Sequence, residues 1–188
     1  MALKIAICGK MGSGKTTLAN SVLENHSVFQ KRSLAEGVKK FARFVYDIPE
    51  GKKDRILFQK IGDGARNELY EDVWITTMLN NCKNDEYIVV DDVRYYNEVM
   101  KLKTKGWKII KININNELQE NRIKKTYPDD WEIHLNSRGH NSEVEVDLIP
   151  EDYFDIIIEA KDDENPTLIL DEFVRDNLKE YRSEEHTS

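Results

Sequence analysis

The sequence predicts an α/β fold: three layers, α/β/α, around a central five-stranded parallel sheet, with one lid insertion. Three observations lead there. Short runs rich in Ile and Val lack the strict alternation of half-exposed strands, so they read as strands buried on both faces. Segments of helical periodicity separate them, and strand alternating with helix means βαβ units. A chain of 188 residues, 39% of them hydrophobic, suits one domain, placed over 1–181 with a tail over 182–188.

The elements follow in order. Leu3 to Cys8 reads as the first strand and Lys15 to Glu24 as the first helix, with a weaker strand at Val28 to Leu34. Helical patterns run over Glu36 to Tyr46, Asp54 to Leu69 and Asp72 to Cys82; Pro49 and Gly51 mark Asp47 to Asp54 as a loop. Strands at Tyr87 to Asp91 and Trp107 to Ile114 flank a helix at Asn97 to Lys105, and a helix at Glu117 to Tyr127 follows. Thr126 to Pro150 is polar, broken by Pro128, Gly139 and Pro150, and long for a connection, so it is read as a functional loop and the place of a lid. Phe154 to Glu159 is the last strand. A final helix, Leu168 to Tyr181, sets Leu168, Leu170, Phe173, Val174 and Leu178 largely on one face.

Charge and cysteine usage exclude some classes. A net charge of -7 argues against coating nucleic acid, which needs a Lys/Arg excess, though a few arginines can still be focused into one cleft. Cys8 and Cys82 lie far apart without metal-like spacing and read as reduced thiols. No apolar run approaches the ~18 residues of a membrane span, and MALKIAICGK does not read as a signal peptide. The expectation is a soluble, cytoplasmic monomer or homodimer whose partners are small molecules, not nucleic acid or membranes.

The chemistry starts at Gly9-Lys10-Met11-Gly12-Ser13-Gly14-Lys15-Thr16, followed by Thr17, which satisfies G-x-x-x-x-G-K-[ST]. The glycines let the backbone turn and aim successive N–H groups at phosphate oxygens; Lys15 reaches the β and γ phosphates and the Thr16 hydroxyl ligates Mg²⁺. The helix that follows adds its positive N-terminal end. A chance match in a chain of this length has a probability on the order of one in a hundred at average residue frequencies. A triphosphate site also needs an acid at a neighbouring strand end. Asp91 and Asp92 supply it, and adjacent strand residues face opposite ways, so one of the two faces the phosphates. Arg94, at the carboxyl edge of the sheet, has the planar fork that suits a substrate phosphate; a surface ion pair is the alternative.

GKMGSGKTT, DDVRYYNE and Gly139-His140-Asn141-Ser142-Glu143 together resemble the deoxynucleoside monophosphate kinases of phages and large viruses, P-loop kinases of adenylate-kinase-like architecture. Animal-type phosphomevalonate kinases share much of the pattern. The resemblance covers Leu3 to about Ala160 and implies ATP as donor, Mg²⁺ as cofactor and a nucleoside monophosphate as acceptor. It assigns Mg²⁺ or water positioning to Asp92 and acceptor-phosphate binding to Arg94. It puts the acceptor side at about 35–82, with Ser33, Lys39, Gln59, Gly62, Arg66 and Trp74, joined by Glu98, His140 and Glu143. It puts the lid at about 116–150, with Arg122 and Arg138 as the arginines that close on ATP and Lys124 and Lys125 as further candidates. By position alone, Arg66 and Arg122 also suit i,i+4 pairing, Trp74 suits a core, and His140 suits an exposed loop. Gly37 replaces a proline common at this point of the family.

A phosphate acceptor is already anionic near neutral pH, so transfer needs positioning and positive charge rather than a general base, in keeping with a sequence without a catalytic His or Cys constellation. Kinases for phosphomevalonate or dephospho-coenzyme A are the near alternatives. A GTP-dependent switch would carry Asn-Lys-x-Asp after a strand, whereas Ile112-Asn113-Ile114 continues Asn115-Asn116-Glu117. A packaging ATPase would show a basic track, and none is evident.

Overall fold

The computed structural model describes residues 2–51, 54–84, 86–162 and 165–185. The chain divides into two compact units, one formed by Met1–Lys31 with Asn84–Ser188 and the other by Arg32–Lys83. The first carries the sheet. Strands β1 (Lys4–Gly9), β2 (Phe29–Arg32), β3 (Tyr87–Val93), β4 (Lys108–Asn113) and β5 (Ile156–Glu159) are all parallel and lie in the order β2-β3-β1-β4-β5. Every predicted strand is present, the weak one as β2.

Burial on both faces explains the near-continuous apolar runs. Leu3, Ile5 and Ile7 join Val89, Ile110, Ile112 and Ile158 in a core closed by Leu18, Ala19 and Val22 of α1 (Lys15–Asn25) and Leu170 and Val174 of α9 (Pro166–Glu185). The alternate residues Ala6, Cys8, Val90 and Ile109 are equally buried and point the other way, the side covered by α5 (Tyr96–Thr104) through Val99 and Leu102. A buried charge sits on β4: Lys111, with its ammonium 5.1 Å from the centre of the Phe154 ring.

The register of β1 with β3 slips once. Ala6 pairs with Val90 but Cys8 with Val93, so β3 spends three residues where β1 spends two. The extra residue falls at Asp91–Asp92, and a bulge of this kind re-aims side chains beside a site.

Three predicted boundaries are corrected. The segment read as a polar loop is mostly helical: after α6 (Asn116–Thr126) come α7 (Trp131–Asn136), a 3₁₀ turn (Ser137–Gly139) and α8 (Asn141–Leu148). The inward residues here are polar ones, His134 on α7 and Glu143 beside Val146 on α8, so hydrophobic periodicity could not reveal these helices. The final helix begins at Pro166, whose fixed φ suits a first helical position, and runs to Glu185, so residues 182–185 continue it. The remaining tail residues 186–188, and 163–164 of the acidic run, lie outside the described residues.

The second unit holds α2 (Ala35–Tyr46), α3 (Arg55–Glu68) and α4 (Val73–Asn80). Val38, Ala42, Trp74, Ile75 and Met78 are its buried residues. A Cβ on Gly37 would stand 2.9 Å from Trp74 Cε3, so only glycine lets α2 approach the indole this closely. Trp74 Nε1 donates to the Gly62 carbonyl at 3.0 Å and ties α3 to α4.

Candidate functional site

The phosphate loop lies where β1 meets α1. Gly12 and Gly14 take φ values of 75° and 105°, left-handed conformations that a side chain would strain. Gly14 opens α1 and has no side chain to cap it, so the first N–H groups of the helix remain available to an anion. Ser13 Oγ is buried with no hydrogen-bond partner among the described residues, an orphan that a phosphate oxygen would satisfy. Thr16 and Thr17 are exposed on the first turn.

Lys15 is buried, and its ammonium donates to the carbonyls of Gly9 and Lys10, both at 2.6 Å. Burial, with the Arg94 charge as the next cause, pushes this amine down from 10.5 to about 7. Desolvation likewise pushes the Cys8 thiol up to about 12, which makes it an inert core residue.

The apex of the loop is held by side chains from far along the chain. Gln119 of α6 donates to the Met11 carbonyl at 2.9 Å. Glu143 of α8 accepts from the Met11 N–H at 2.9 Å. Arg122 of α6 donates to the carbonyls of Gly12 and Ser13 at 3.4 and 3.3 Å, and also to Lys161 O and Asp162. Lys10 pairs with Asp147 at 2.5 Å. Arg138 points elsewhere, to Asn116 O at 3.0 Å and to Glu120. Of the two arginines named from sequence, then, Arg122 is on the loop and Arg138 is not.

At the end of β3 the two aspartates part. Asp91 is buried and pairs with Lys31 at 2.7 Å; Asp92 is half-buried. Arg94 pairs through Nη1 with Glu143 Oε1, and its Nε and Nη2 have no partner among the described residues. Glu98 is buried and accepts the N–H groups of Arg94 and Tyr95 at 2.9 and 3.2 Å, fixing the turn into α5. His140 caps α8, its Nδ1 accepting from Ser142 N at 3.2 Å. Glu98, His140 and Glu143, placed on the acceptor by resemblance, therefore spend these polar atoms on the protein itself. Beside the loop, at the carboxyl end of β4, lies a cavity of about 330 Å³ that reaches Lys10 and Asp147.

In the Arg32–Lys83 unit, Lys39 and Gln59 are half-buried and make no side-chain hydrogen bond among the described residues. Arg66 lies 3.9 Å from Asp63 on the same helix. Ser33 lines a cavity of about 260 Å³ together with Glu36, Lys40, Thr77 and Asn81. Trp74, placed on the acceptor side by resemblance, is buried in the core of this unit, the alternative its position allowed.

Sequence reasoning missed Gln119 and Asp147. Gln119 had a legible sign: it shares a helix face with Arg122 and Ile123, three and four residues on. Hard oxygen donors suit Mg²⁺, which is typically held by one or two protein groups plus phosphates; the Thr16 hydroxyl and an Asp92 carboxylate fit that demand. No group of three or more His, Cys, Asp or Glu side chains able to hold a metal occurs among the described residues. No described helix is long and apolar enough to cross a membrane.

Neither protein-family models nor curated protein sequences give a match. Solved structures do. Shikimate kinase from Acinetobacter baumannii, in complex with shikimate, is similar with a TM-score of 0.59 at 17% identity, over 96% of this chain and 95% of that one. A gluconokinase from Sinorhizobium meliloti 1021 is similar with a TM-score of 0.56 at 12% identity, over 99% and 97%. A shikimate kinase from Bacteroides thetaiotaomicron gives 0.56 at 16%, over 94% and 98%. These kinases share the fold of this chain nearly end to end.

Proposed function

We propose that the chain is an ATP-dependent kinase that transfers a phosphoryl group to the phosphate of a deoxynucleoside or nucleoside monophosphate, giving the diphosphate and ADP. The observation that carries this reading is Arg94. It sits at the carboxyl edge of the sheet, close enough to Lys15 to depress its pKa, with one arm held by Glu143 and the others without a protein partner among the described residues. A loop for one phosphate chain with a second oriented cation beside it suits two phosphorylated substrates.

Each residue then has a task. The backbone of Gly9 to Thr17 and Lys15 hold the donor phosphates. Asp91 is buried and paired with Lys31, whereas Asp92 is half-buried at the strand end, so Asp92 is assigned to the metal together with Thr16. Mg²⁺ bound there would neutralise charge on the moving phosphoryl group. Arg122 steadies the loop and borders the nucleotide. Arg94 receives the acceptor phosphate. No general base is required, because the attacking oxygen already carries charge.

A second reading has specific support: among the solved structures sharing this fold are shikimate kinases and a gluconokinase. A hydroxyl acceptor would need a base, for which Asp92 is the candidate. One panel separates the two. ADP release with Mg·ATP is measured across the four deoxy and four ribo monophosphates, with shikimate and gluconate alongside. Turnover of at least one monophosphate far above the acceptor-free rate is expected. Turnover confined to a hydroxyl acceptor establishes the second reading instead.

A further inference from the structure

We propose that Glu143 is a positioning residue that sets the spacing between the phosphate loop and Arg94, one carboxylate gripping both. Arg94 as the acceptor's cation rests on the function proposed above; the grip itself does not.

The carboxylate divides its oxygens. Oε2 accepts the Met11 N–H at 2.9 Å while Oε1 pairs with Arg94 Nη1. Gln119 Nε2 donates to the Met11 carbonyl at 2.9 Å and lies 3.5 Å from the same Oε2. Both backbone polar groups of one loop residue, Met11, are thus held, the N–H by α8 and the carbonyl by α6. Glu143 is only 4% exposed, and a buried carboxylate persists only where charge and hydrogen bonds compensate it.

Electrostatics exclude the simpler idea that Glu143 meets a substrate phosphate. A carboxylate beside an anion site repels its ligand unless a cation neutralises it, and both Glu143 oxygens are already turned to the protein. Its consequence is orientation. A guanidinium is a rigid plane, so holding Nη1 fixes where Nε and Nη2 point. Glu98 fixes the other end of the same residue by accepting the Arg94 N–H at 2.9 Å. Arg94 is therefore anchored at backbone and tip, and the tip anchor is the carboxylate that also holds the loop.

Glu143→Gln in the full chain tests this, because it keeps the size and one acceptor but removes the charge that holds Arg94. Four quantities are read: thermal midpoint, affinity for Mg·ADP by calorimetry, steady-state kinetics with the accepting monophosphate, and amide hydrogen exchange of loop peptides containing Met11 and Arg94. Expected are Mg·ADP affinity within about three-fold of wild type, a combined loss of about 10–100-fold in acceptor kcat/KM, as for other residues that orient a first ligand, and faster exchange in both peptides. A Glu143→Gln protein with unchanged acceptor kinetics and exchange, or with nucleotide affinity falling as much as turnover, overturns the proposal. Should no monophosphate be turned over by wild type, the function fails but exchange still decides the grip. Should Glu143→Gln not fold, Glu143→Asp decides: it keeps the charge but is one methylene too short to hold both partners, so faster exchange in the Met11 or the Arg94 peptide supports the grip while unchanged exchange in both sinks it.

Discussion

The phosphate loop and the helical unit of residues 32–83 are held together in opposite ways. Around the loop the decisive partners are remote: Met11 with Glu143, Met11 with Gln119, Gly12 with Arg122, and Arg94 with Glu143. In the helical unit, ion pairs within one helix join Lys40 to Glu36 and Arg66 to Asp63, and a longer tie runs from a tryptophan N–H to a glycine carbonyl. The loop is therefore a product of the whole sheet unit, and a change there should strike chemistry. The helical unit is a product of close apolar packing and also exposes large apolar side chains, Phe44 at 92% exposure among them. A change there should strike stability first.

The sharpest break in that comparison is Lys15→Met. Removing the cation that meets the transferred phosphate should lower turnover by about 10³-fold. Yet the thermal midpoint should not fall, because a buried ammonium with a depressed pKa is a charge the fold holds at a cost. Thermal unfolding of the pure variant checks this; a midpoint lowered by more than a few degrees would show Lys15 to be structural.

The aspartate pair comes next. Asp92→Asn should lower kcat by about 10²-fold and shift the Mg²⁺ concentration needed for half-maximal rate. Asp91→Asn should leave that Mg²⁺ dependence in place and instead cost about 1 kcal/mol of stability, since it unpairs a half-exposed Lys31. Equal effects of the two substitutions on Mg²⁺ dependence would erase the division that the bulge in β3 creates.

How much of this was legible in sequence follows from the same contrast. The loop was readable because its chemistry demands residue types at fixed spacing, and the strands were readable because burial on both faces leaves apolar runs. Helix α8 was not, because its inward face is Glu143 with Val146, and a carboxylate there looks like a solvent face until Arg94 and the Met11 N–H are seen beside it. Likewise the parity of Asp91 and Asp92 depends on a register slip that no local pattern encodes. In the helical unit, periodicity located α2, α3 and α4, but whether Trp74 faced a base or a core depended on Gly37 packing against its ring.

That packing yields a smaller, purely structural prediction. Gly37→Ala would bring a methyl to 2.9 Å from Trp74 Cε3, so it should destabilise by about 1–3 kcal/mol, the usual cost of overpacking. Chemical denaturation gives the magnitude. Hydrogen exchange should quicken over α2 and α4 while the peptides of β1 and α1 keep their protection. Quickening across the whole chain would mean that the two units open as one.

The smallest effect tests the loop without any substrate turnover. Lys15 has its amine pushed down to about 7 by burial and by Arg94, so at pH 8 it is mostly neutral in the nucleotide-free protein. An anionic phosphate bound against it favours the charged form and raises the pKa. Binding at pH 8 should then take up a fraction of a proton, approaching one, and binding at pH 6, where Lys15 is already protonated, should take up far less from this group. Calorimetry of Mg·ADP binding in buffers of different ionisation enthalpy reads the proton count directly. Lys15→Arg stays charged at both pH values, so its uptake should not differ between them. Uptake equal at pH 6 and pH 8 in the wild type would show that Lys15 is not the titrating group, and would remove the electrostatic link between Arg94 and the loop on which the two-substrate reading leans.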